Sequence, residues 1–192
     1  MNEPHKTPVF ALLLALSAIV LALLPFVTTF DDFLTSVGMR LGIAAPLQLI
    51  VPLEVRVAVA VLGYLGIHAG AAGNQLVVWN SSGAPQTLFI SWNCVGWQSL
   101  ILLGLSLVVG LRGEMAWTSR LEVVAFGVMG TVLVNVARIS AVCLLAASAG
   151  YTPAVLFHDY GGTLMLIGWL FTFWLVAYRW LLPAPTAIDV RP

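Results

Sequence analysis

Residues 121–149 read LEVVAFGVMGTVLVNVARISAVCLLAASA, and this stretch decides what kind of protein the chain makes. A membrane span needs roughly 20 mostly apolar residues, and between Glu122 and the end of this run only Asn135 and Arg138 are strongly polar. The rest of the chain has the same character. Of its 192 residues 60% are hydrophobic and 8% charged, against about 25% charged in a soluble domain, and its mean hydropathy is +1.01.

Working outward, the same length criterion selects residues 9–27, 47–69, 95–111 and 163–182 as further spans. Residues 30–56 blur the second of these. They mix Asp31, Asp32, Arg40, Pro46, Pro52, Glu54 and Arg56 with apolar residues, and read either as one tilted helix or as two short ones. The amino-terminal apolar run has no small-x-small cleavage site followed by a soluble domain, so it reads as a transmembrane helix rather than a signal peptide. In residues 75–91, LVVW and TLFI flank the turn formers NSSGAP, which predicts a short hairpin. Its edges would be unpaired in lipid, so it belongs at the interface or against protein. The Asn80-Ser81-Ser82 sequon is too short a pattern to weigh. The expected fold is therefore all-α: a polytopic transmembrane bundle of five or six spans with a short extracytoplasmic β-hairpin. Residues 1–192 form one membrane-embedded domain, with 183–192 a disordered tail.

Composition also excludes function classes. The formal net charge is zero and no basic run marks nucleic acid as a partner. Cys94 and Cys143 are too few for a disulfide framework and match no metal spacing, so no metal or cofactor is implied. The partner implied directly is the lipid bilayer.

Positive charge near the spans sets orientation. Arg112 and Arg120 bracket one short loop, and Arg179 and Arg191 follow the last span, which places these ends in the cytoplasm. Lys6 favours a cytoplasmic amino terminus, which requires six crossings. A helix rises about 1.5 Å per residue. Cys94 lies 18 residues before Arg112, Arg138 lies 18 after Arg120, and His158 lies 21 before Arg179, so each sits roughly 27–32 Å from a cytoplasmic marker. Three polar side chains from three helices reach the same outer depth.

Arg138 is the hardest of the three to explain structurally. An arginine this deep costs at least about 2.5 kcal/mol on insertion scales unless it finds water or a partner. Snorkelling to headgroups is one solution, but Asn135, three residues earlier, shares its helix face and makes a patch aimed at protein or a cavity. Cys94 stands in SWNCVGWQS. There Asn93 is the expected N-cap and Cys94 falls in the first helical turn, a position that favours a thiolate, while Gly96 allows close approach to the backbone. A small residue packed at a helix start is the plainer reading. Cys143 fits that plainer reading, being mid-span with no polar neighbour at helical spacing. His158, in VLFHDYGGT, can take a proton from a thiol if Asp159 or Asn135 holds its ring; an interfacial histidine at a helix start is the alternative. His5 and His68 belong to the alternative, and the tryptophans to interface belts or bundle packing.

These residues resemble the exosortase/archaeosortase family of membrane-embedded cysteine transpeptidases. The resemblance covers about residues 46–173 and rests on Asn93-Cys94-Val95-Gly96, then Asn135-Val136-Ala137-Arg138, then His158 with Gly161-Gly162. Pro46-Leu47-Gln48 before the preceding helix also fits. Val95 departs from the serine usual in the family, a residue that is not the nucleophile. The resemblance implies a membrane protease or transpeptidase that cleaves the carboxy-terminal signal of exported proteins: a short motif, a transmembrane helix and a basic cluster. It transfers them through an acyl-enzyme to a lipid or amine acceptor. It implies Cys94 as nucleophile, Arg138 as oxyanion stabiliser and His158 as general acid and base, with the site on the outer side of the cell membrane. A transporter or channel subunit with Asn135 and Arg138 lining a polar pathway is the other reading of the same patch.

Overall fold

The computed structural model describes residues 6–80, 83–113 and 115–182. The expected tail at 183–192, His5, and Ser81-Ser82 of the sequon lie outside the described residues. Helix α1 (Lys6–Arg40) holds the first expected span. A turn at Gly42 leads to α2 (Ala44–Gln48) and α3 (Val51–Tyr64). Strands β1 (Ala69–Ala72), β2 (Gln75–Trp79) and β3 (Pro85–Phe89) follow, then a single 3-10 turn (Trp92–Cys94) and α4 (Trp97–Gly110). The long α5 (Trp117–Ala149) precedes α6 (Tyr151–Leu156), a π turn (Phe157–Gly161), α7 (Gly162–Val176) and a second π turn (Ala177–Leu181).

Among the described residues four helical stretches are long and apolar enough to cross a membrane: Ala44–Tyr64, Trp92–Gly110, Trp117–Ala149 and Tyr151–Leu181. No separate helix of that length lies between α1 and α3, because residues 30–40 are the continuation of α1. Residues 30–56 are thus the end of α1, the short α2 and the start of α3.

The second span ends earlier than apolarity alone suggests. At its carboxy terminus Ile67 N–H donates to the Leu62 carbonyl (2.9 Å) and Gly66 N–H to that of Gly63 (3.0 Å), a paired closure that satisfies the last helical carbonyls. The chain so released forms a strand, and the expected hairpin becomes a three-stranded antiparallel sheet of order β1-β2-β3. Its register pairs Ala69 with Val78 and Leu76 with Leu88. Strand β1 is AGAA, which carries no strand signature. It is recruited by the β2 edge rather than by its own propensity.

Leu76 and Val78 are fully buried and join Val51, Val55 and Leu62 of α3 and Ile139, Val142 and Cys143 of α5 in one core. Cys143 is thus a packing residue. A second core, around Leu103, Val123, Phe173 and Ala177, fills the other end of α5. There the Trp169 indole N–H donates to Thr131 and that of Trp174 to Ser106, so both tryptophans pack within the bundle. Asn135 and Arg138 lie on α5 between these two cores.

Candidate active site

Cys94 does not occupy the first turn of α4. Its N–H donates to the Ser91 carbonyl (2.8 Å) to close the 3-10 turn, and Gly96 is the residue before α4, with φ +77°. A left-handed residue cannot continue a helix, so the turn and α4 are separate. Asn93 is not a cap: its Oδ1 accepts from Gln98 Nε2 (2.7 Å) and lies 3.1 Å from Thr35 Oγ1. The turn is held from a second side by Gln48, whose Oε1 accepts from Trp92 N–H (2.9 Å). So short a turn has little stability of its own, and side chains from α1, α2 and α4 fix it.

His158 is not at a helix start either. The helix begins at Tyr151, and His158 lies in the π turn joining α6 to α7, a widened turn of the kind that often marks functional sites. Its Nε2 lies 3.8 Å from Cys94 Sγ, and Ser91 Oγ lies 3.7 Å from the same sulfur. On the other side of the ring, Nδ1 is 3.0 Å from Asp159 Oδ1. Asp159, not Asn135, therefore holds the imidazole. The His158 side chain is 44% exposed and Cys94 is half-buried, so the pair is reachable from outside the bundle.

Arg138 donates through Nη2 to the His158 carbonyl (3.3 Å). Its guanidinium fits against α7 because residue 162 is glycine: a Cβ there would overlap Arg138 Nε. Cys94, Arg138 and His158 line one small cavity with Ile90, Ile139 and Val142. A second, more polar cavity on the other side of Arg138 is lined by Asp31, Ser99, Thr131 and Asn135, and Asp31 interacts electrostatically with Arg138 across it.

Asn135 has a different task from the one its spacing suggests. Its Nδ2 donates to the Cys94 carbonyl (2.9 Å) and to Glu54 Oε1 (3.1 Å). It packs on Gly96 so closely that a Cβ on that glycine would stand 2.8 Å from Asn135 Cγ, so the expected close approach to Gly96 is made by Asn135. Sequence reading gave Glu54, Asp31, Ser91 and Gln98 no part in the site, and Gln48 entered it only within the family pattern. Of these Glu54 and Asp31 carried a usable signal, a carboxylate in an apolar helix; the other three look like ordinary surface residues.

A polytopic membrane protein with a cysteine–histidine pair beside a half-buried arginine within a membrane-length helix is the class that fold and cluster define. The transmembrane exosortase family matches residues 6–175, and the chain belongs to that family. No curated protein and no solved structure matches it.

Proposed function

We propose that the protein is a cysteine transpeptidase that cleaves the carboxy-terminal sorting signal of exported proteins. The observation that carries this reading is the 3.8 Å approach of Cys94 Sγ to His158 Nε2, with Arg138 tied to the same histidine's carbonyl. A nucleophile, a base and a third group orienting the base form the arrangement that activates a thiol.

With Asp159 at Nδ1, the His158 lone pair at Nε2 faces the thiol. The thiol proton passes to Nε2 and the thiolate attacks the scissile carbonyl. Negative charge then develops on the carbonyl oxygen, where the Arg138 guanidinium stabilises it. Collapse breaks the C–N bond, and the departing amine takes the proton from His158. This leaves a thioester on Cys94. An incoming amine or hydroxyl gives its proton to His158, takes the acyl group and frees the thiol. The acceptor is an amine or a lipid group; water would give simple proteolysis.

Family membership supports the substrate class: exported proteins ending in a short motif, a transmembrane helix and a basic cluster. The site then faces the outer side of the cell membrane. Co-expression of a tagged protein with such a tail tests the proposal. Cys94→Ala should abolish processing, and processing that persists in this variant would refute it.

A further inference from the structure

Glu54 is the one carboxylate of α3, and the chemistry above leaves it without a task. Its Oε1 accepts from Asn135 Nδ2 at 3.1 Å, while Oε2 is buried with no partner among the described residues. An asparagine amide has two N–H donors. Here both are taken, one by Glu54 and one by the Cys94 carbonyl at 2.9 Å. Asn135 itself is 5% exposed, so water is not a ready substitute for either partner.

We infer that Glu54 is a positioning residue for the nucleophile, acting through Asn135 on the backbone of the cysteine turn. The inference rests on the reading of Cys94 as the nucleophile. A terminal amide rotates about a soft torsion, and the two ends of the group look alike in shape. Without Glu54 the amide is free to turn its oxygen toward the Cys94 carbonyl, placing acceptor against acceptor. With Glu54 present only one orientation satisfies both neighbours. That orientation ties α3, α5 and the 3-10 turn together at the peptide that carries Cys94. Because the turn is a single one and is followed by left-handed Gly96, this tie limits how far Cys94 Sγ can drift from His158. The need is for an acceptor at Oε1, not for negative charge.

The test is the rate at which iodoacetamide alkylates Cys94 in the full-length protein in lipid nanodiscs, read at the Cys94 peptide by mass spectrometry. This rate follows thiolate availability and needs no substrate, so it stands apart from the proposed transpeptidation. Glu54→Gln, which keeps an acceptor, should alkylate at the wild-type rate. Glu54→Leu should be slower by about tenfold, the scale of one lost buried partner. Asn135→Ala should be as slow, and the Glu54→Leu/Asn135→Ala double variant no slower than Asn135→Ala alone, because the two act in series. A wild-type rate in Glu54→Leu, an equal loss in Glu54→Gln, or additive losses in the double variant each overturn the inference. If the leucine variant does not accumulate in membranes, Glu54→Asp carries the test. It keeps the charge but withdraws the oxygen, and a wild-type rate there also overturns the inference. Failure of the transpeptidase reading would show separately, as processing that survives Cys94→Ala.

Discussion

Cys94 Sγ stands 3.8 Å from His158 Nε2 although 64 residues separate them in sequence. The cysteine comes from a 3-10 turn held by three helices, and the histidine from a π turn between α6 and α7. Neither belongs to a regular helix, so the pair depends on how the bundle packs.

Removing the base should therefore separate reactivity from folding. His158→Ala should slow both alkylation of Cys94 and processing of a tripartite-tail protein, by on the order of 100 to 10,000-fold for processing. Asp159→Ala, which loses only the 3.0 Å contact at Nδ1, should cost less than His158→Ala in both assays. Equal losses would mean that Asp159 does more than orient the ring.

Arg138 makes a different prediction, because an oxyanion exists only after attack. Arg138→Ala should lower processing by about 100 to 1,000-fold while leaving Cys94 alkylation within a few-fold of wild type. Arg138→Lys should rescue only in part, since a single ammonium cannot reproduce the planar fork. Parallel single-turnover and alkylation assays would show the split.

Gly162→Ala introduces a Cβ into the space of the Arg138 side chain and should imitate Arg138→Ala in processing. Gly96→Ala acts otherwise. It strains a residue at φ +77° and presses on Asn135, so it should destabilise the fold by about 1–3 kcal/mol. Thermal unfolding in detergent should show a lower midpoint for Gly96→Ala than for Gly162→Ala.

Phe173 and Phe171 lie two residues apart on α7, the first fully buried and the second 73% exposed. Phe173→Ala leaves a void beside Phe126 and Trp169 and forfeits packing contacts, which hold helices together even where the hydrophobic effect does not. Its unfolding midpoint should fall well below that of Phe171→Ala, with the alkylation of Cys94 unchanged in both.

A membrane-impermeant thiol reagent added to intact cells should label Cys94, as the outward-facing site of the proposal requires. Labelling only after membrane disruption would overturn that placement.

The apolar runs of α3, α4 and α5 were legible because hydropathy and length act locally: each helix must satisfy its own backbone groups in lipid. Strands β2 and β3 were legible for a similar reason, from β-prone residues around NSSGAP. Strand β1 was not, because AGAA takes its conformation from the β2 edge. The cluster of Cys94, Arg138 and His158 was foreshadowed by depth, since helical rise converts residue number into distance. Asn93 was misassigned as a cap because its local pattern fits one, whereas its Oδ1 is engaged by Gln98 and Thr35.

By itself, then, the sequence determined the apolar character and the long helices, consequences of composition, and gave Cys94, Arg138 and His158 similar spacings from arginines at the far ends of their spans. The tertiary structure decided which groups meet: Asp159 rather than Asn135 on the imidazole, Asn135 on the Cys94 carbonyl, Glu54 behind it and Asp31 facing Arg138. Depth fixes one coordinate of a side chain along the membrane normal. The other two are set by which helix faces pack together, and Gly96 and Gly162 show how directly that packing turns on single missing Cβ atoms.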